Sequence, residues 1–275
     1  MLKTRIITSI VLIGIFLTAL LLASNTLWAI LTLVVMLLGV REWSRLIKLN
    51  KGQMVGMIIS ALIISLTLFY TSGIPVVTTL APYHDIFVYN LLGVVTFFWI
   101  LLAPIWLYTR KTVTNKFVLS ILGLLLLISV WVALFELRVF SPQVLLSLIL
   151  TVNIADIAAY FVGKNFGRNP LASQISPGKT WEGVAGGLLG VTLFGYLLCI
   201  YFNYSLWLLI GLWLVVIVSI IGDLFESLLK RQAGVKDSGR ILPGHGGILD
   251  RIDGLIPSLA LSLFFIYSPL FANIQ

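Results

Sequence analysis

The stretch FVLSILGLLLLISVWVALF, Phe117 to Phe135, runs for 19 residues without a charged side chain. At 1.5 Å of rise per residue, an apolar helix of that length crosses the roughly 30 Å hydrocarbon core of a bilayer. The rest of the chain repeats the pattern. Apolar runs bounded by polar punctuation cover about 6–23, 27–40, 54–71, 86–107, 117–135, 144–163, 183–202, 206–229 and 254–272, which predicts an all-α polytopic integral membrane protein with about nine transmembrane helices. Runs this clean exclude a transmembrane barrel, whose strands alternate with period two. Composition agrees: of 275 residues, 60 % are hydrophobic and only 10 % charged, with a mean hydropathy of +1.09, where a soluble domain carries roughly 25 % charged residues. Nine spans leave no room for a separate soluble catalytic domain. The single cysteine, Cys199, sits inside an apolar run, so neither an internal disulfide nor a cysteine metal site is expected.

The 14-residue run at 27–40 is short enough to be re-entrant, and the charge distribution decides its role. With nine spans, 17 cations fall on one side and Arg138 alone on the other; without the second span the division is 15 against 3. Lys and Arg in short loops stay in the cytoplasm, so the amino terminus is expected inside and the carboxyl terminus outside. The first run, after Lys3 and Arg5, reads as a retained anchor rather than a cleaved signal, because no A-x-A site follows it. The net charge of +8 then reports topology and anionic headgroups rather than nucleic acid. Arg41 to Lys51 reads as an interfacial stretch. Two inner loops, 164–182 and 230–253, are long and rich in Gly, Lys, Asp and Pro, and loops longer than about 12–15 residues are usually functional or disordered. The chain therefore divides into an N-terminal scaffold, 1–140 with spans 1 to 5, and a C-terminal catalytic half, 141–275 with spans 6 to 9.

Two spans of that second half carry polar stripes. Asn153, Asp156, Tyr160 and Lys164 share one helical face, as do Asp223, Glu226, Ser227 and Lys230. An aspartate at the centre of a spanning helix costs about 2.5–3.5 kcal/mol on insertion scales. Neither Asp156 nor Asp223 is expected to face lipid, and a wet cavity open to the cytoplasm accounts for both. The alternative is a structural ion pair, Asp223 with Lys230 or Asp156 with Lys164. Span 7 opens with GVAGGLLG, whose glycines Gly183, Gly186, Gly187 and Gly190 allow close helix packing.

The loop segment SPGKTWEG, Ser176 to Gly183, is not a P-loop, because Ser173 stands where the pattern needs Gly and no preceding strand is expected. It reads as a Gly-hinged turn bringing Lys179 and a hydroxyl to a helix start, where an anion is favoured. The second loop, SLLKRQAGVKDSGRILPGHGGILDRIDG, packs five cations, three aspartates, one His and six Gly into Ser227–Gly254. Such density at a bilayer surface points to polyphosphate. Asp250 and Asp253, three apart, share a face if the last span begins helically there, and Asp223 can supply a third carboxylate to a magnesium ion. Lys230, Arg231, Lys236, Arg240 and Arg251 balance phosphate charge, and Pro243–Gly247 lets backbone approach phosphate oxygens. His245 is a candidate to donate to pyrophosphate or relay a proton.

The run S-L-L-K-R, four residues, K-D-S-G, then L-P-G-H-G-G-I-L-D-R-I-D, Ser227 to Asp253, resembles the signature of the phosphatidate cytidylyltransferases, also called CDP-diacylglycerol synthases. SPGKTWEG is similar to that family's second characteristic stretch, and the resemblance covers about the last 130 residues. It implies that CTP and phosphatidate give CDP-diacylglycerol and pyrophosphate, with Mg²⁺ required and room for K⁺ as a second ion. It further implies metal binding by Asp223, Asp250 and Asp253. Lys230, Arg231, Lys236 and Arg251 fall on phosphates, with His245 also in the catalytic set. Ser176, Lys179, Ser227, Asp237, Gly246 and Gly247 fall on substrate. The expected setting is a bacterial-type inner (plasma) membrane, multi-pass, with the active site facing the cytoplasm in a cavity between spans 6, 8 and 9; a homodimer is compatible with it. Two rivals remain at this stage: a CTP-dependent lipid-alcohol kinase, which releases CDP instead of pyrophosphate, and an ion-coupled membrane transporter using Asp156 and Asp223.

Overall fold

The computed structural model describes residues 2–73, 81–239, 241 and 246–268. Every apolar run becomes a helix: α1 Leu2–Leu22, α2 Asn25–Leu46, α3 Lys51–Thr71, α4 Ala81–Phe97, α5 Ala103–Thr109, α6 Lys116–Phe140, α7 Pro142–Phe166, α8 Trp181–Phe202 and α9 Leu208–Ala233, then the short α10 Leu249–Ile252 and α11 Leu255–Tyr267. A π-helical turn, Phe98–Leu102, joins α4 to α5 just before Pro104, whose missing N–H cannot continue the regular ladder. Seven helices are long and apolar enough to cross a membrane by length and composition; Ile13–Leu22 and Leu255–Tyr267 are shorter apolar segments among the described residues.

Helix starts follow the local chemistry. Ser24 accepts from the Leu27 N–H, and Asn50 and Gln53 form a reciprocal capping box at 2.8 and 3.1 Å. Asn115, Ser141 and Thr180 cap α6, α7 and α8 in the same way. The run at 27–40 is no re-entrant fragment: α2 continues through Arg41, Glu42 and Trp43 to Leu46. Glu42 and Trp43 are buried there, and the Trp43 indole donates to the Leu119 carbonyl at 2.9 Å.

The core gathers around α2, α4, α6, α9 and α11, with Phe225 of α9 packed edge-on against Phe98, Trp99 and Trp106. α8 lies close along α7 because its glycines leave room. A Cβ at Gly186 would strike Val162, and one at Gly190 would strike Ala158. The two ends of the bundle differ in charge. One end carries the turn after α2, the 110–116 connection, the 167–180 segment and the loop after α9, joined by Lys116 to the Lys48 carbonyl and by Gln232 to the Lys111 carbonyl. At the opposite end Arg138 is buried, donating to the Leu20 carbonyl at 2.9 Å and to Asn25 Oδ1 at 2.7 Å beneath the Trp28 ring. That explains how one cation is accommodated on the otherwise cation-poor side.

Candidate active site

The basic loop ahead of α8 is a small antiparallel hairpin, β1 Pro170–Ala172 paired with β2 Ser176–Thr180. The expected turn is therefore a strand, and Lys179 sits on it one residue before the Thr180 cap of α8. Glu182 braces the approach by accepting from the backbone N–H groups of Arg168 and Asn169 and from the Asn169 side chain. Arg231 ties the hairpin to α9 by donating to the Ile175 carbonyl at 3.4 Å.

The hairpin aims Lys179 at α9, where its ammonium pairs with Asp223. Helical spacing offers Lys230 as an alternative partner for Asp223; the tertiary contact with Lys179 takes that place. Ser227 donates to Asp223 from one turn away at 3.3 Å, and Asp156 of α7 lies within electrostatic reach of both Lys179 and Asp223. The remaining predicted pair on α7 is also replaced, because Lys164 lies over the Tyr160 ring.

Lys230 bridges two other carboxylates, Glu226 at 2.5 Å and Asp250 at 2.6 Å, with all three side chains nearly buried. Asp250 is fully engaged. It accepts from the Gly247 N–H at 2.8 Å and from the Ser238 N–H and hydroxyl at 3.0 Å each. Burial pushes its carboxyl up, but the Lys230 ammonium and those N–H groups outweigh it and hold the group below the usual carboxylate range. Asp253 behaves oppositely: burial first, then the neighbouring Asp223 carboxylate, raise it to about 7 against the opposing Gly254 N–H and the Lys179 and Lys230 charges. Asp250 and Asp253, three apart on one helical turn, therefore meet different surroundings. α10 ends at Ile252, leaving Asp250 turned into its own loop and Asp253 toward Asp223.

Among the described residues no three His, Cys, Asp or Glu side chains form a metal-holding group, so the three aspartates are not assembled as a triad. Asp223 and Asp253 are the carboxylates that would hold a hard divalent cation here. Two carboxylates repel each other there, and the oxygens of Glu226 beside them are buried without a hydrogen bond, although Lys230 is at ion-pair distance. Magnesium commonly takes one or two carboxylates and completes its shell with water and phosphate oxygens.

Gly222 sets this geometry. A Cβ there would overlap the Asp253 carbonyl and the Pro257 ring, so α9 and the start of α11 meet only because residue 222 lacks a side chain. Overpacking of this kind costs about 1–3 kcal/mol. Gly222→Ala should lower the melting temperature and the activity together; a variant with native thermal stability would contradict the contact.

The remaining candidates lie around this centre. Ser176 is on β2, and Lys236 and Asp237 are exposed on the loop after Gly234, which takes the left-handed conformation at φ +78°. Lys236 and Asp237, with Arg45 and Lys48 from the end of α2, line a cavity of about 560 Å³. Gly246 and Gly247 border Asp250, and Arg251 is exposed on α10. His245 and Arg240, with Pro243 and Gly244, lie outside the described residues. Glu42 had no place among the candidates, yet it contacts Ser238 and Leu249 of this loop. An acidic residue between Arg41 and Arg45 at the end of an apolar run is the available signal.

The chain is 36 % identical over 276 residues to the phosphatidate cytidylyltransferase of Pseudomonas aeruginosa, covering 94 % of each chain. It is 40 % identical over 131 residues to the Haemophilus influenzae protein of the same name, 45 % of each chain, and 50 % identical over 116 residues to that of Synechocystis, 41 % of this chain and 39 % of the relative. The profile of the cytidylyltransferase family matches residues 3–269, and the chain belongs to that family.

Proposed function

We propose that this protein is a phosphatidate cytidylyltransferase, an enzyme that transfers the cytidylyl group of CTP to phosphatidate and releases CDP-diacylglycerol and pyrophosphate. The observation that carries the proposal is the end-to-end match to a relative bearing that name, combined with Lys179, Asp223, Lys230 and Asp253 gathered at one end of an apolar bundle. An attacking phosphatidate oxygen forms a bond to the α-phosphorus of CTP as the bond to the β-phosphate oxygen breaks. The phosphomonoester is already anionic, so the reaction needs no strong general base. Positioning and charge neutralisation dominate, as in other phosphoryl transfers.

Lys179 reaches the site from the hairpin and Lys230 from α9, so two ammonium groups flank the carboxylate pair and can meet phosphates entering between them. Arg231, Lys236 and Arg251 supply further positive charge around the entrance. Asp223 and Asp253 would hold Mg²⁺, which when bound neutralises phosphate charge and orients the α-phosphate; K⁺ is the candidate for a second ion. Asp250 supports the site by fixing Lys230 and the backbone at Ser238 and Gly247. The cation-rich end faces the cytoplasm by the charge rule for short loops, with the amino terminus inside and nine spans in a bacterial-type inner membrane. Phosphatidate keeps its acyl chains in the inner leaflet while CTP arrives from water.

The test is incubation of purified protein with radiolabelled CTP and phosphatidic acid, with and without magnesium. CDP-diacylglycerol and pyrophosphate in equal amounts, formed only with magnesium, are expected. CDP with a phosphorylated lipid, or no product, would contradict the proposal.

A further inference from the structure

Glu42 lies near the end of α2, some 200 positions from the aspartate-rich loop in sequence, and is fully buried. Its Oε2 accepts from the Leu249 N–H at 2.9 Å and from the Ser238 hydroxyl at 3.1 Å. Its Oε1 is buried with no hydrogen-bond partner among the described residues. A Cβ at Gly239 or at Gly247 would run into the same carboxylate, so both glycines are required by the volume that Glu42 fills. Ser238 in turn donates its N–H to Asp250, which holds Lys230, and its single hydroxyl proton is shared between the Glu42 and Asp250 carboxylates.

We infer that Glu42 is a positioning residue: its carboxylate clamps the loop around Ser238, Gly239, Gly247 and Leu249 onto α2 and thereby sets Asp250 and Lys230 for the reaction. A buried acid is a costly way to fill space, and an apolar side chain would serve packing alone. What Glu42 adds is a pair of oxygens directed at the loop's own N–H and hydroxyl groups. The clamp runs between the half read as scaffold and the half read as catalytic, so α2 takes part in the site. Ser238 and Gly239 also border the cavity lined by Arg45, Lys48 and Lys236, so the clamped loop forms one of its walls. The catalytic consequence rests on the cytidylyltransferase reading proposed above; the clamp itself does not.

The experiment uses the full chain in lipid nanodiscs and reads two quantities: amide hydrogen exchange of peptides covering 236–250, and kcat with CTP and phosphatidic acid. Glu42→Ala is expected to speed exchange in those peptides at least tenfold and to lower kcat at least tenfold. Glu42→Gln keeps an oxygen acceptor at the same reach and should stay within threefold of the parent in both. Gly239→Ala should lose at least tenfold in kcat, and adding Glu42→Asp, which withdraws the carboxylate from the new methyl, should restore at least fivefold. General destabilisation does not produce that reciprocal rescue, and the Gln and double variants decide the matter if Glu42→Ala does not fold. Parental exchange and kcat in Glu42→Ala, or a double variant no better than Gly239→Ala, would overturn the inference. A parent chain inactive towards phosphatidate would sink the catalytic reading, while the exchange rates would still decide the clamp.

Discussion

Asp223→Asn should lower CDP-diacylglycerol formation on the order of 10²–10³-fold, the range seen when a preorganised electrostatic group is removed from an active site. The carboxylate faces Lys179, Asp253 and Asp156 at once, and an amide there can neither neutralise the ammonium nor hold a hard cation beside Asp253. Thermal stability should change little, because the Lys179–Asp223 pair is about one-third exposed and such pairs contribute little to folding. Activity and melting temperature measured on the same preparation check the split. A variant that loses its fold, or keeps its rate, would contradict the assignment.

Lys230→Met should have the opposite balance, a large loss of stability together with a loss of activity. The ammonium lies between Glu226 and Asp250, with side-chain exposures of 13 %, 7 % and 10 %. Removing it leaves two carboxylates facing each other in a poorly hydrated place, and breaking a buried pair in this way costs about 3–5 kcal/mol. The methionine stem fills much the same volume, so the loss reports the charge rather than a cavity. Thermal unfolding in nanodiscs is the measurement, and a melting temperature within a degree or two of the parent would show that the bridge carries no such energy.

The contrast between these two lysines marks the boundary of what the sequence discloses. Hydropathy locates the seven long apolar helices because the signal is repeated over some 20 residues and owes nothing to distant parts of the chain. The end of α2 was cut at residue 40 because Arg41 and Glu42 look like the edge of a span. Glu42 is tolerated inside by Ser238 and Leu249, partners that no local window contains. The hairpin was missed for a related reason: a three-residue strand and a second strand containing Pro, Gly and Lys show no alternation. Spacing offers Asp223 with Lys230 as one alternative and places Asp250 and Asp253 on one face, since both pairs fit a helix. The hairpin delivers Lys179 to Asp223, and Lys230 pairs with Glu226 and Asp250 instead. Residue types and neighbourhood were legible, whereas the pairing of charges was not, because pairing is decided by how separate segments meet.

Titration of the purified protein with Mn²⁺, followed by electron paramagnetic resonance, measures the central claim most directly. The account predicts a bound Mn²⁺ that Mg²⁺ displaces in the parent protein and whose binding weakens at least tenfold in the Asp223→Asn/Asp253→Asn double variant. Parental Mn²⁺ affinity in a folded double variant would contradict it.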